Sequence, residues 1–333
     1  VAIKIVDRTG KPALMLSRLS RGKTQTQEDK IRKEVAIMKK CDHPHVVKLI
    51  EVLDAENSRK IYLVLEYLEK GEIKWQISPE EVLSMVKSKS DKVSLSGEIT
   101  IKDCIFEPLL SLEQTKKIFR DVLGGLEYLH YQGIIHRDIK PSNLLVSHDD
   151  NVKISDFGVS FADNLDGETQ DDVELAKTAG TPAFLAPELC GTEGKSMKVT
   201  YKIDIWALGV TLYCFIFGCL PFYADSEYQL FQNICHDDIK FPDMTRWRVA
   251  TPLDDHEFQM AKDLIVKLLD KNPETRFEIE EIKKHPFVLG GLDGQKWQDD
   301  DKYLDKNTKI KVSSEEVDDA VVGIGSRIKK RIS

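Results

Sequence analysis

Short alternations of apolar and polar positions, rich in β-branched residues, open the chain: VAIKIV at 1–6, VVKLIEVL at 46–53 and KIYLVLEYL at 60–68 predict strands. Between the first two, residues Gln27 to Lys40 carry helical spacing, so this part is expected to be a small sheet with a helix against it. From Leu112 the period lengthens. LEQTKKIFRDVLGGLEYLHYQ at 112–132 spaces its apolar residues as a helix does, NLLVS and NVKIS bracket the polar HDD turn as short strands, and further helices run to Phe287. The pattern predicts an α+β chain in which a small β-rich part, residues 1–70, precedes a large, mainly helical part, residues 71–290.

Polar stretches interrupt this pattern. Lys11 to Gln27 reads as a loop, and Ser78 to Pro108, with its KSKSDKVSLSG piece, reads as a surface insertion at about residues 76–108. Residues 291–333 turn to Gly, Asp and Lys and read as a C-terminal regulatory tail ending GSRIKKRIS. The longest apolar run, IWALGVTLYCFIFGCLPF from Ile205 to Phe222, falls short of the roughly 20 residues a bilayer span needs. It also holds Gly209, Gly218 and Pro221 and follows Asp204 directly, so a helix buried inside a soluble domain is expected, not a membrane span.

Composition narrows the partners and the compartment. A net charge of −8, with acids and bases mixed along the chain, leaves no basic face and excludes nucleic acid as the main partner. The six cysteines, Cys41, Cys104, Cys190, Cys214, Cys219 and Cys235, contain no C-x-x-C pair, which fits reduced thiols and a cytoplasmic or nuclear protein.

The candidate chemistry lies in IIHRDIKPSNLLV at 134–146 and KISDFGVS at 153–160. Phosphoryl transfer needs divalent metal against phosphate oxygens, a carboxylate to orient the attacking hydroxyl and accept its proton, and a cation near the moving charge. Asp138 suits the base, Asn143 and Asp156 suit hard-metal ligation through oxygen, and Lys140 suits the γ-phosphoryl. A lone H-R-D or D-F-G is weak evidence, but HRDIKPSN followed by DFG with two short strands between them is highly specific.

On these motifs the chain resembles the eukaryotic protein kinases. The resemblance extends to VAIK at Val1 to Lys4, Glu34 on the following helix, LVLEYL at Leu63 to Leu68, GTPAFLAPE at Gly180 to Glu188, DIWALG at Asp204 to Gly209, and Arg276 in NPETRF. It implies a two-lobed fold with ATP and Mg2+ in the cleft. It further implies that Lys4 pairs with Glu34 and holds the α and β phosphates. The adenine pocket would have Leu65 at its back, hinge groups from Glu66 and Leu68, and Ala2 and Leu145 on either side of the ring. Thr181 would bridge Asp138 and Lys140 through its hydroxyl, which implies serine or threonine as acceptor. In the activation segment, Asp156 to Glu188, Thr178 is the implied phosphosite and Arg137 the cation facing it. Asp171, Asp172 and Glu174 already supply negative charge there, so weak dependence on that phosphate is expected. In the kinase pattern a glycine-rich loop precedes the VAIK strand, and the sequence starts at that strand. A fragment of a longer protein is the expectation, with a catalytically weak, kinase-like scaffold as the alternative.

YLHYQGIIHRDIKPSNLLV, KTAGTPAFLAPE and WALGVTLYCFIFGCLPF are similar to the calcium/calmodulin-dependent protein kinase kinases, and EKGEIKW with the insertion after it resembles their fungal members. This implies protein kinases as substrates: activation-loop threonines of AMP-activated/sucrose-nonfermenting-type or calmodulin-dependent kinases. In the tail, Val317, Val321, Ile324, Ile328 and Ile332 alternate with Arg327, Lys329, Lys330 and Arg331, a basic amphipathic pattern suited to calcium/calmodulin. A merely solvated tail is the other reading, because Gly323 and Gly325 each weaken a helix by up to about 1 kcal/mol and there is no large aromatic anchor.

Overall fold

The computed structural model describes residues 1–7, 32, 35–54, 59–90, 100–156, 161–162, 181–190, 199–292, 310 and 313–321. Glu34, Thr178, Asp171, Asp172, Glu174, the whole Lys11 to Gln27 stretch and most of the tail lie outside the described residues.

The apolar alternations fold as read. Strand β1 (Ala2–Asp7) and strand β2 (Leu49–Asp54) flank strand β3 (Lys60–Leu65), both antiparallel to it, with Lys4 opposite Leu63. The pleat turns Ala2, Lys4 and Val6 to the half-buried side and leaves Ile3 and Ile5 exposed. Residues 35–38 are helical, and the chain then crosses to the helical part through residues 43–47. There the Val47 and Ile154 amides donate to Ile154 O and His45 O, each at 2.9 Å.

Past the hinge at residues 66–70 come β4 (Gly71–Glu72) and β5 (Gln76–Ile77). The start of the stretch read as a polar insertion is instead helix α1 (Pro79–Ser90). Its start carries a reciprocal cap, Glu81 N–H to Ser78 Oγ at 3.3 Å and Ser78 N–H to Glu81 Oε2 at 2.8 Å, and Val82 is fully buried. β6 (Glu107–Pro108) pairs back on β5. The buried Glu107 carboxylate accepts the Arg248, Val249 and Ala250 amides, each at 2.8 Å, and so fixes the end of this stretch to the helical part.

Helix α2 (Leu112–Tyr131), capped by Ser111, forms the axis of the larger part. At Gly125 a Cβ would lie 2.5 Å from His45 O, so only glycine lets the crossing segment pass this close. β7 (Ile134–Ile135), β8 (Leu144–Val146), β9 (Val152–Ile154) and β10 (Phe161–Ala162) follow. β8 is central in a sheet with β4 and β9, and β10 pairs with β7. Then come α3 (Pro187–Cys190), α4 (Lys202–Phe217), α5 (Glu227–His236), α6 (Asp255–Leu268), α7 (Ile279–Lys283), α8 (Pro286–Leu289) and α9 (Ser314–Asp318).

The long apolar run is α4, buried on all sides. It stops at Gly218, whose φ of 68° and close approach to the Glu107 backbone both exclude a side chain. Among the described residues no helix is long and apolar enough to cross a membrane. None of the six cysteines forms a disulfide, and burial pushes the Cys41 thiol up to about 12.

Candidate active site

The loop between β7 and β8 is held from beneath by Asp204. This carboxylate, 0% exposed at the start of α4, accepts the His136 and Arg137 amides at 2.8 Å each and bonds His130 Nε2 at 2.9 Å. Burial alone would raise the Asp204 carboxyl, but the hydrogen bond and charge of His130, with the His136 contacts, hold it below the usual carboxylate range. These bonds also hold Arg137 in the left-handed region at φ 71°.

His136 links the loop to the next strand. Its Nδ1 accepts the Asp138 amide at 3.3 Å, so the ring proton sits on Nε2, which donates to Ser155 O at 2.9 Å. Burial holds this imidazole below its ordinary value of 6.5 despite the neighbouring carboxylates. An unfolded chain therefore takes a proton at His136 that the folded ring refuses, and stability falls as pH drops through about 6.5. Denaturant titrations from about pH 7.5 to about pH 5.5 are expected to show this loss and to show a flatter profile for His136→Gln; parallel profiles would contradict it.

Above this base the sequence-predicted side chains converge. Asp138 Oδ2 accepts from Lys140 Nζ at 2.7 Å and from Asn143 Nδ2 at 2.9 Å, and Asn143 Nδ2 also donates to Asp138 O at 2.7 Å. The Asn143 amide nitrogen is thus spent inside the loop, which leaves its side-chain oxygen as the group for a hard cation. Lys140 Nζ also donates to Thr181 Oγ1 at 2.7 Å, while the Thr181 amide reaches Asp138 Oδ1 at 3.3 Å. The expected hydroxyl bridge to both residues is not what these bonds give: the Thr181 hydroxyl faces Lys140, and it is the Thr181 main chain that faces Asp138.

Asp156 follows β9, held beside Asn143 because the Ser155 amide donates to Asn143 O at 2.8 Å. At φ 65° it too is left-handed, and its Oδ1 forms an ion pair with Lys4 Nζ. Asp156 is thus the partner described for Lys4, and the expected partner, Glu34, lies outside the described residues. The alternation of β1 explains the pairing, since Lys4 projects from the half-buried side.

The residues expected around adenine lie on two sheets. Ala2 lies opposite Leu65, and Leu145 on β8 lies opposite Glu72 of β4. Leu68 is buried in the hinge between them. The Glu66 carboxylate bonds Lys153 Nζ at 2.8 Å and the Lys48 amide at 2.7 Å, which ties the hinge to β9.

Sequence reasoning had given no role to Asp204 or His136. One signal was available: an acid heading the longest apolar run must be buried, and a buried carboxylate needs donors. The assembled groups can do phosphoryl transfer: a held carboxylate, ammonium groups at Lys4 and Lys140, and hard oxygens at Asn143 and Asp156. That donor set fits Mg2+, which takes few protein oxygens when phosphates supply the rest.

A family model for the protein kinase domain matches residues 3–288. The chain is 45% identical over its whole length to SNF1-activating kinase 1 of Saccharomyces cerevisiae, covering 30% of that protein. It is 43% identical over its whole length to serine/threonine-protein kinase ssp1 of Schizosaccharomyces pombe, covering 45% of it. Against a calcium/calmodulin-dependent protein kinase kinase of Caenorhabditis elegans it is 40% identical over 78% of the chain and 40% of the relative. The chain spans less than half the length of each of these relatives.

Proposed function

The chain belongs to the protein kinase family, and on that premise we propose that it transfers the γ-phosphoryl group of ATP to activation-loop threonines of other kinases, of the AMP-activated/sucrose-nonfermenting or calmodulin-dependent type. The observation that carries the chemistry is the joint bonding of Asp138, Lys140, Asn143 and Thr181 next to Asp156 and Lys4. The name of the Saccharomyces cerevisiae relative, SNF1-activating kinase 1, supports the class of substrate.

In this reading Asp138 orients the acceptor hydroxyl and takes its proton as the new O–P bond forms. Lys140 meets the charge on the transferred group, and its bond to Thr181 supports serine or threonine as acceptor. Lys4, with Glu34, holds the α and β phosphates. Asn143 and Asp156 hold Mg2+, which when bound neutralises phosphate oxygens. Adenine takes the patch formed by Ala2, Leu65, Glu66, Leu68 and Leu145. Residues 1–70 form the smaller lobe, 71–290 the larger one and 291–333 a regulatory tail. The basic stretch of the tail at Arg327 to Arg331, and the name of the Caenorhabditis elegans relative, support calmodulin as a partner. Six thiols without a disulfide, four of them buried, fit a reducing cytoplasmic or nuclear setting.

The test is incubation with magnesium, ATP and a catalytically inactive AMP-activated-type kinase, with the acceptor mapped by mass spectrometry. Phosphate on the activation-loop threonine is expected; none there, or phosphate on tyrosine, would overturn the reading.

A further inference from the structure

Residues 35–38 are buried all round: Val35 is 1% exposed, Ala36 3%, Ile37 7% and Met38 5%. A helix resting on one sheet leaves its outer side wet, so this one needs a second cover. The C-terminal segment supplies it. Ala320 and Val321 are 1% and 3% exposed within the main core, and Val317 packs on that core.

Polar bonds fix the cover in place. Lys39 Nζ donates to Ala320 O at 2.5 Å, Arg32 Nη1 donates to Val321 O at 3.3 Å, and Lys40 Nζ pairs with Glu316 at 2.7 Å. At the other end the Ile310 amide donates to Gln132 Oε1 at 2.6 Å, at the foot of α2. The segment therefore spans from α2 to the helix of the smaller lobe.

From that helix a packed path leads to the site. The Asp42 amide donates to the Tyr128 hydroxyl at 3.1 Å, and His43 stacks on the Tyr128 ring at 4.8 Å. His45 and Val47 bond Ile154, and Asp156, the partner of Lys4, is two residues further on.

We propose that Ile310 and residues 313–321 act as a strap that positions the phosphate end of the cleft through the helix at residues 35–38, with Val317, Ala320 and Val321 as positioning residues. The effect on phosphate transfer rests on the kinase reading above. Because the strap packs on that helix, its loss is expected to lower phosphate transfer.

The test compares the full chain with Val321→Asp and Val321→Ile by amide hydrogen exchange and by steady-state transfer. In Val321→Asp, exchange at residues 35–47 is expected to quicken about tenfold while α4 is unchanged, and kcat/KM for ATP is expected to fall about tenfold; Val321→Ile restores both. Unchanged exchange at residues 35–47, or equal acceleration in α4, would overturn the strap. If Val321→Asp does not fold, Val321→Ala serves, with the same regional contrast expected at about threefold. If the parent transfers no phosphate, the kinase reading fails and the exchange pattern alone decides the strap.

Discussion

Asp138→Asn is expected to lower the turnover of phosphate transfer by about 1000-fold, with KM for ATP nearly unchanged. The substitution keeps the shape of the side chain and one acceptor oxygen, but removes the group that takes the hydroxyl proton. It also sets a new NH2 against the donors that the carboxylate now accepts, Lys140 Nζ at 2.7 Å and Asn143 Nδ2 at 2.9 Å. The fold is expected to survive, because the backbone of this loop hangs on Asp204 and not on Asp138. Steady-state kinetics varied in ATP and in protein substrate, beside an unfolding curve, check both halves. Turnover within tenfold of the parent would remove Asp138 from the role of base, and a collapsed unfolding transition would mean that the loop depends on it structurally.

The groups of this site that were legible in the sequence are those whose spacing is local. Asp138, Lys140 and Asn143 sit on one short loop, and β8 with β9 returns Asp156 to it, so a reading along the chain finds them together. Lys4 was legible only through the resemblance of VAIK to the kinase pattern. What the chain hides is long-range: the Asp204 pin reaches back 67 and 68 positions to Arg137 and His136, and Lys39 bonds a carbonyl 281 positions away. Hydrophobic periodicity carries no signal for such pairs, which follow only from how the helices pack. The helix at residues 35–38 illustrates this, since its spacing predicts packing against the sheet, while nothing in it signals the second cover from residues 317–321. α1 is a different case. S-P-E-E at residues 78–81 is a capping signature in plain view, masked by the polar, low-complexity run that follows.

The pair of Glu188 and Arg276 is where the largest change in stability is expected. Both side chains are buried, and the guanidinium meets the carboxylate in a two-pronged contact at 2.7 and 2.8 Å. Replacing Arg276 by Met leaves the Glu188 charge in the core without its cation, a change expected to cost about 3 to 5 kcal/mol. Glu188→Leu alone strands the guanidinium in the same way. The double substitution removes both charges and is expected to recover the part of that loss due to the unpaired partner. Recovery stays incomplete, because Arg276 also donates to Asp270 O at 2.9 Å and Lys202 O at 2.7 Å and lies 5.2 Å from the Trp206 ring. Glu188 stands seven positions after Thr181 on a short segment running through Pro182–Phe184 into α3. Loosening this anchor is therefore expected to free Thr181 from Lys140 and Asp138, and to reduce phosphate transfer under conditions where the chain is still folded. Denaturant unfolding of the parent, both single variants and the double variant forms a cycle whose coupling energy measures the pair. A coupling below about 0.5 kcal/mol would mean that Glu188 and Arg276 act independently, and the anchor would have to be sought in the Lys202 and Asp270 carbonyls instead.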